Sequence, residues 1–522
     1  FLNIEMPTGF GQMLTKVKEL SAVRKFLPKH VKQAACQEIV YTGDEIDLNR
    51  FPILKTWPDD AGPFITLPLV FTKSLDGKAK NCGMYRMQVY DQRTTGMHWQ
   101  IHHDGSNFFS EYRKAGKRME VAVAIGADPS LAFAAIAPLP PKIFEVLIAG
   151  FIRNKPVEMV KCKTVDIEVP AEAEIILEGY VEPDELQSEG PFGDHTGYYT
   201  LEEDYPVFHL TAITTRKNPV YWTTVVGRSP QEDCYFGGKA TERIFLPMFR
   251  TIAHEVTDML LPWDGCFHNC MILSMKKQFP LHARRLMSQI WGTGQASTCK
   301  AIITVDEDVK LSDSEEMLLY ILERLDIRHS VYLNEGIVDA LDHSSYQWAY
   351  GGKIGLDITT ALAGEPHQND PVTNRTNPVN ELEIFEAISK IHSSVLAVRP
   401  YAEQSKNPVL IVKVEKKEGR LAQQISAKIF QSENFNHFNI FFFVDEKNNL
   451  DDGHQLIWRL TNNTDWNKDT YFSPDRDRLA IDSTSKIAAD GFQRRWPNDL
   501  IMSDEIIKRV DEKSKRISGL NQ

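Results

Sequence analysis

The chain has 522 residues, 42% hydrophobic and 25% charged, with a formal net charge of −12. That length exceeds a single core and predicts two to four domains of ordinary globular composition, while the acidic balance excludes extended nucleic-acid binding and no apolar run approaches the roughly 20 residues of a membrane span. Seven scattered cysteines predict reduced thiols in a cytoplasmic protein, and no signal-peptide pattern opens the sequence at Phe1.

In chain order, residues 1–37 read as a helical segment, with Met13, Val17, Leu20, Val23 and Leu27 near a 3.6-residue spacing. From Glu38 the texture becomes short strands punctuated by Gly, Pro and Asp: 38–41, 64–72, 83–90, 98–102, 121–125, 164–169, 173–180, 207–215 and 220–226. Such a series predicts a β-barrel or sandwich, interrupted by a helix over 141–153. Residues 241–260 read as one long helix connecting the β domain to the C-terminal half of the chain. That half contains an internal repeat. Met271-Ile-Leu-Ser-Met-Lys-Lys277 answers Ile411-Val-Lys-Val-Glu-Lys-Lys417, each is followed by a helix and a run ending in Val-Asp-Glu, and Gly352–Asp357 answers Ser485–Asp490. This predicts a small α/β module present twice, with a Pro- and Asn-rich linker over 364–379.

The densest chemistry lies in Glu189-Gly-Pro-Phe-Gly-Asp-His-Thr-Gly-Tyr-Tyr199. Glycines and a proline between Glu189 and Asp194 argue against a helix and for a turn on which both carboxylates converge. Close carboxylates perturb each other's ionisation, so one site keeps an acid and a base near neutral pH; a glycine-rich turn with solvated charges is the plainer alternative. Asn81-Cys-Gly-Met-Tyr-Arg86 begins a strand, Asn81 offering a neutral oxygen ligand and Arg86 a bidentate clamp for a carboxylate. Gly83 supplies the irregularity that would let both face one side. His98-Trp-Gln-Ile-His-His-Asp104 holds three histidines, a pattern more often solvated than metal-bound. Glu145, on an otherwise apolar helix, needs an arginine or a metal as partner. Asn, His and Glu together suit Mn²⁺, Mg²⁺ or Fe²⁺ rather than structural zinc. Lys353, within Gly351-Gly-Lys-Ile-Gly355, reads as a phosphate or carboxylate partner or as a surface turn lysine. The aromatics near Tyr346, Trp348 and Tyr350 hint at stacking on a ring, but such clusters are more often core.

These residues together resemble the UbiD-type decarboxylases, which use prenylated FMN. The resemblance is carried by Asn81–Arg86, Trp99–His102, Ala122-Val-Ala-Ile-Gly-Ala-Asp-Pro129, the stretch 138–153 around Glu145, Glu189–Tyr199, His282-Ala-Arg-Arg285 and Gly352–Asp357. It implies an α+β multidomain fold. The expected parts are a residual N-terminal helical segment (1–37), a split β-barrel of the flavin-reductase type that binds prenyl-FMN (38–228), a connecting helix (229–260), a C-terminal α/β domain (261–395) and a second copy of the α/β module (396–522). Position by position, Asn81, His102 and Glu145 match the ligands of a divalent metal, with Mn²⁺ foremost, Mg²⁺ or Fe²⁺ as alternatives and K⁺ as a further cation. Met84, Tyr85, Arg86, Trp99, Gln100, His102, Glu145 and Lys353 match cofactor contacts, Lys353 at the phosphate. Arg86, Glu189 and Asp194 match the catalytic trio: Arg86 orients the substrate carboxylate and keeps Glu189 ionised, while burial favours a protonated Asp194 as proton donor. The flavin supplies the electron sink that side chains lack.

The implied activity is reversible non-oxidative decarboxylation of an aromatic or α,β-unsaturated acid, with a small aromatic substrate and CO₂ as partners and a homo-oligomeric assembly, dimer or hexamer. Three departures bear on this: the family's additional N-terminal α/β portion is largely missing, the second α/β copy from about 396 to 522 is extra to the family pattern, and His103-Asp104 stands where some members have Arg-Gly. The alternatives are the catalytic subunit of a heteromeric carboxylase acting on an inert aromatic, completed by a second subunit, and a cofactor-free scaffold. Competent residues at every metal and catalytic position count against the scaffold.

Overall fold

The computed structural model describes residues 23–100, 104–137, 139, 143–366 and 380–517. Chain contacts divide it into two compact units: Gly238–Trp496 forms one, and the residues before it join those from Pro497 onward in the other.

In the first unit, Met119–Ile125 shows why the sheet is buried on both faces. Val121, Val123 and Ile125 enter one apolar cluster while Ala122 and Ala124 enter another, as alternation along a strand requires. The antiparallel sheet runs Ile39–Thr42, Glu203–Thr215, Ile175–Glu189, Met119–Ile125, Leu69–Lys73, Lys80–Met84, with Thr94–Gly96 also paired to Glu203–Thr215. Among the described residues its two edge strands do not pair with each other, so it stays open. The helix Asp104–Lys114 packs Phe108 and Phe109 into one cluster, and Pro129–Ile136 and Val146–Arg153 pack into the other. Asp128 caps the second of these helices by accepting from the Ser130 amide at 2.9 Å, with Pro129 at its first position.

Several expected elements differ. The helix expected over 1–37 lies outside the described residues as far as residue 22. Beyond that the chain makes short 3₁₀ turns around a strand, Lys29–Val31, because Pro28 biases Leu27 away from helical geometry and the strand pairs with Glu158–Lys161. No strand forms over 98–100, since the Trp99 amide donates back to the Met97 carbonyl at 2.8 Å and turns the chain on itself. None forms over 220–226 either. There the Thr66 hydroxyl bonds the Thr224 carbonyl and amide, replacing a ladder with a side chain.

After Trp496 the chain returns to the first unit. Tyr199 N donates to Asn498 O and Leu500 N to Gly197 O, both at 3.0 Å, with an antiparallel bridge between Tyr198 and Asp499. The terminal helix, Asp504–Ser514, has no fully buried side chain.

The second unit holds two five-stranded sheets of the same design. One runs Val256–Leu260, Cys270–Met275, Ala301–Asp306, Tyr350–Asp357, Val331–Ile337; the other runs Val395–Tyr401, Val409–Val414, Ile440–Asp445, Leu479–Asp482, Thr470–Phe472. In each, the three inner strands are parallel and the outer two antiparallel. Helices follow at matching points, His282–Trp291 with Leu421–Ile429 and Glu315–Arg324 with Gly453–Asn462. One face of each sheet contributes to a single shared core, through Ile272, Val305 and Ile354 on one side and Ile411, Phe442 and Ile481 on the other. The long helix expected over 241–260 stops at Ile252: the Ala253 amide closes it on Phe249, and Val256–Leu260 becomes an edge strand against Cys270–Met275. A helical spacing ending in Val256 is also compatible with a strand, and the sheet edge decides it.

The matching positions are set by register. Asp306 pairs with Met275 and Asp445 with Val414. Asp357 accepts from Thr359 as Asp482 does from Thr484, and Asp306 accepts from Thr360 as Asp445 does from Ser485. Lys277 meets Asp357 and Glu365, as Lys416 meets Asp482 and Asp490. The counterpart of Asp357 is therefore Asp482, not Asp490, and that of Lys277 is Lys416, not Lys417. The similar letters Lys-Ile-x-x-Asp misalign the last strand. The linker expected over 364–379 lies mostly outside the described residues.

Candidate active site

The stretch expected to turn forms a tight hairpin. Ile175–Glu189 ends at Glu189 opposite Glu203; Phe192–Gly193 then pairs with Tyr199–Thr200. Gly190 at φ 98° and Gly197 at φ 85° occupy left-handed geometry that a side chain would strain. Asp194 stands at the hairpin tip, its amide donating to the Tyr198 carbonyl at 3.1 Å.

Arg86 binds the hairpin from below. Its Nε donates to Glu189 Oε1 at 2.9 Å, Nη1 to Asp194 Oδ2 at 2.6 Å and Nη2 to Thr200 Oγ1 at 3.0 Å. The guanidinium lies 4.6 Å from the centre of the Phe192 ring. His98 Nδ1 shares Glu189 Oε1 at 2.8 Å, and His195 Nδ1 reaches Asp194 Oδ1 at 2.8 Å. Burial pushes Glu189 up, but His98 and Arg86 outweigh it and hold the carboxyl below its usual range. Burial likewise opposes His195 and Arg86 at Asp194, which is held well below the carboxylate range. Asp194 is therefore an anion in this arrangement, contrary to the expectation that burial protonates it, because two cationic or donating neighbours contact it directly. Burial, reinforced by Arg86, lowers the His98 imidazole.

Asp60 organises the hairpin from a loop. Its Oδ1 accepts from the Gly193 amide at 2.7 Å, and its Oδ2 from Trp57 and Thr56 at 2.8 and 3.1 Å. Gln88 accepts from the Gly190 amide at 2.9 Å. Gly193 leaves room for Trp57 and Leu500, whose side chains a Cβ there would strike.

A second group of expected residues lies on the adjoining strand. Asn81 is buried on Lys80–Met84, its Nδ2 3.5 Å from both Thr72 Oγ1 and the Tyr85 hydroxyl. The irregularity expected at Gly83 is not there, since the strand keeps its register with Leu69–Lys73 through this position; the glycine instead leaves room for the Tyr85 hydroxyl, which occupies the space of a Cβ. Glu145 does not lie within a helix but in the turn just before Val146–Arg153, because its Oε2 is taken by the Cys82 amide at 2.7 Å. Burial raises this carboxyl to about 7. Trp99 packs on Phe109 at 5.1 Å, with Gly105 admitting both Trp99 and the Tyr85 hydroxyl against the helix start. Met84 and Gln100 are half-buried. His102 lies outside the described residues. Among the described residues no group of three or more His, Cys, Asp or Glu is arranged to hold a metal.

Lys353 belongs to the second unit and is 1% exposed rather than a surface turn lysine. Its ammonium donates to the carbonyls of Ser297 and Cys299, and burial lowers it to about 8. Arg478, at the equivalent strand position of the second sheet, likewise donates to a backbone carbonyl, that of Phe430. Trp348 and Tyr350 are exposed, whereas Tyr346 packs edge-on against Phe492 at 5.4 Å.

Residues 29–229 match the model of the 3-octaprenyl-4-hydroxybenzoate carboxy-lyase Rift-related domain, and residues 234–358 and 375–491 match the C-terminal domain of the same carboxy-lyase, so the second α/β copy, expected to be extra, belongs to the family's own C-terminal domain. An uncharacterized protein of Archaeoglobus fulgidus is 49% identical over 70% of this chain and 75% of its own. One of Helicobacter pylori is 38% identical over the whole chain and 83% of its own. Among solved structures, the UbiD-class enzyme HmfF from Pelotomaculum thermopropionicum in complex with FMN has a TM-score of 0.60 at 29% identity, over 70% of this chain and 81% of that one. The vanillic acid decarboxylase of Sedimentibacter hydroxybenzoicus shares the fold at a TM-score of 0.61 and 24% identity, over 74% and 83%. With both domain models matched across most of its length, the chain belongs to the UbiD family.

Proposed function

We propose that this protein is a carboxy-lyase catalysing the reversible decarboxylation of an aromatic or α,β-unsaturated acid with prenylated FMN. The observation that carries the reading is the buried cluster of Arg86, Glu189 and Asp194. HmfF has been solved with FMN and, in an evolved dimeric form, with prFMN.

Two features of the unit support a bound flavin and metal. Trp99 Nε1, His98 Nε2 and Glu189 Oε2 are buried without a hydrogen-bond partner, and such atoms normally find one. Glu145 is a half-buried carboxyl accepting from one neutral amide, a donor that a hard divalent cation suits together with the Asn81 oxygen. Asn81, Glu145 and His102 would hold that ion, Mn²⁺ foremost. Met84, Tyr85, Trp99 and Gln100 would line the flavin. When bound, the flavin supplies the electron sink for the carbon that loses CO₂.

The residues of the chain do the rest. Arg86 exchanges one carboxylate partner for the substrate carboxylate, which its planar fork accepts bidentately. The released acid loses its cationic neighbour, its proton affinity rises, and Asp194, with Glu189 as partner, protonates the vacated carbon. Burial of the cluster keeps water from competing for the guanidinium. Purifying the protein without oxygen after co-expression with a flavin prenyltransferase should yield prenylated FMN by mass and absorbance, together with CO₂ release from an aromatic acid. An apoprotein that takes up no cofactor on reconstitution would sink the reading.

A further inference from the structure

Decarboxylation followed by protonation needs a proton, yet both carboxyl groups in contact with Arg86 are held as anions. The group positioned to supply one is His98. It is 6% exposed, lies on the short turn after Thr94–Gly96, and stacks on Tyr205 with ring centres 4.2 Å apart. The groups facing it are Arg86, Glu189, Asp194 and Tyr205, the last drawn toward its neutral form by burial.

Its two nitrogens are in different situations. Nδ1 is 2.8 Å from Glu189 Oε1; since Glu189 is an acceptor, the neutral imidazole carries its proton there. Nε2 then bears the lone pair, and it is buried without a partner. The far oxygen, Glu189 Oε2, is also unpartnered, and a Cβ at Gly96 would come within 3.0 Å of it. A carboxylate on one imidazole nitrogen with the other nitrogen free is the arrangement of an acid–base dyad, in which the carboxylate fixes the tautomer.

We propose that His98 is the proton relay of the site, taking a proton at Nε2 and passing the one on Nδ1 to Glu189. The inference rests on the decarboxylase reading. The step balances as a tautomer switch: a proton binds the Nε2 lone pair, the Nδ1–H bond breaks as an O–H bond forms on Oε1, and imidazole and carboxyl are both left neutral. Glu189 passes that proton to Asp194, freed from Arg86 by the substrate carboxylate, and Asp194 gives it to the carbon, whose electron pair came from the broken bond to CO₂; both carboxyls are then ionised again, and His98 regains its Nδ1–H form by proton exchange with water once product has left. Carboxylation runs the same path backwards, Nε2 releasing the proton.

His98→Asn separates relay from architecture, because an amide keeps a donor toward Glu189 but cannot pass a proton through. With holoenzyme loaded with prenylated FMN, benzoate, its hydroxylated derivatives and cinnamate would be tested for exchange of ¹³CO₂ into the acid and for protonated product in D₂O. Carbon exchange needs no proton at the vacated carbon, whereas product formation does. The relay predicts that H98N lowers deuterated product by at least ~100-fold and lowers ¹³CO₂ exchange by far less. Equal loss of both would make His98 a structural residue and overturn the proposal. Wild-type enzyme inert in both assays would overturn the decarboxylase reading itself. In ¹⁵N-histidine-labelled protein without cofactor, the resonance absent from H98N should show the Nδ1–H tautomer; an Nε2–H tautomer would overturn the relay without reference to activity.

Discussion

Arg86 meets Glu189, Asp194 and Thr200 with three separate nitrogens, so its shape matters as much as its charge. Arg86→Lys should lower kcat/KM by ~100-fold through misplacement of the acids and cost about 3 kcal/mol in denaturant unfolding by leaving a buried carboxylate unpaired. A variant as stable and active as wild type would remove Arg86 from the centre of the site. Asp60→Asn replaces one of two accepting oxygens with a donor facing backbone amides, and should cost about 2 kcal/mol and reduce activity through movement of Gly193. The convergence of Glu189 and Asp194 was legible in the glycine and proline between them, while their grouping with Arg86 came from the family resemblance. Asp60 was not legible: it lies in a loop far in sequence from the hairpin it holds, and no periodicity marks it. Nor could the sequence tell that His98 turns inward, since that depends on the backbone reversal at Met97–Trp99.

At the scale of elements, the two sheets share their strand order because the sequence carries the same pattern of apolar strand, helix, apolar strand and Val-Asp-Glu. That much was readable, while the register within it was not: strand ends are fixed by hydrogen bonds such as Thr359 to Asp357 and Thr484 to Asp482, which similar lysines and isoleucines nearby do not report. The shared ion clusters offer a test. Lys277→Met removes the cation beside Asp357 and Glu365, and Lys416→Met the one beside Asp482 and Asp490, all with nearly fully buried side chains. Each substitution should cost about 3–5 kcal/mol, and the two costs should agree within about 1 kcal/mol when measured by urea unfolding. A large cost in only one sheet would mean that the other cluster is not a support of the same fold.

For the molecule as a whole, acid stability should turn on His343. Burial holds this imidazole down to about 3, despite Asp342 beside it. A histidine with a depressed folded value binds fewer protons than its unfolded counterpart between that value and 6.5, so its contribution is full above 6.5 and is lost as pH falls toward 3. Between pH 6.5 and 5 the loss should reach roughly 2 kcal/mol, and His343→Gln should flatten this part of the stability profile. The alternation of compact parts along the chain was partly legible from the change of texture after Gly227, but the return of the last residues to the first unit was not, because backbone hydrogen bonds tie the segment in and no side-chain pattern announces them. That return gives the hairpin carrying Asp194 an unusual dependence. Its outer bonds, Tyr199 to Asn498 and Leu500 to Gly197, belong to a terminal segment whose helix is held by no fully buried side chain. Such segments open at low free energy without global unfolding. Deuterium uptake at the Leu500 and Tyr199 amides should therefore precede uptake across Met119–Ile125 by orders of magnitude, and protease clipping within 501–517 should speed uptake at Gly197 as well. Uniform protection through the tail would show instead that the end of the chain is as firmly seated as the sheet it touches.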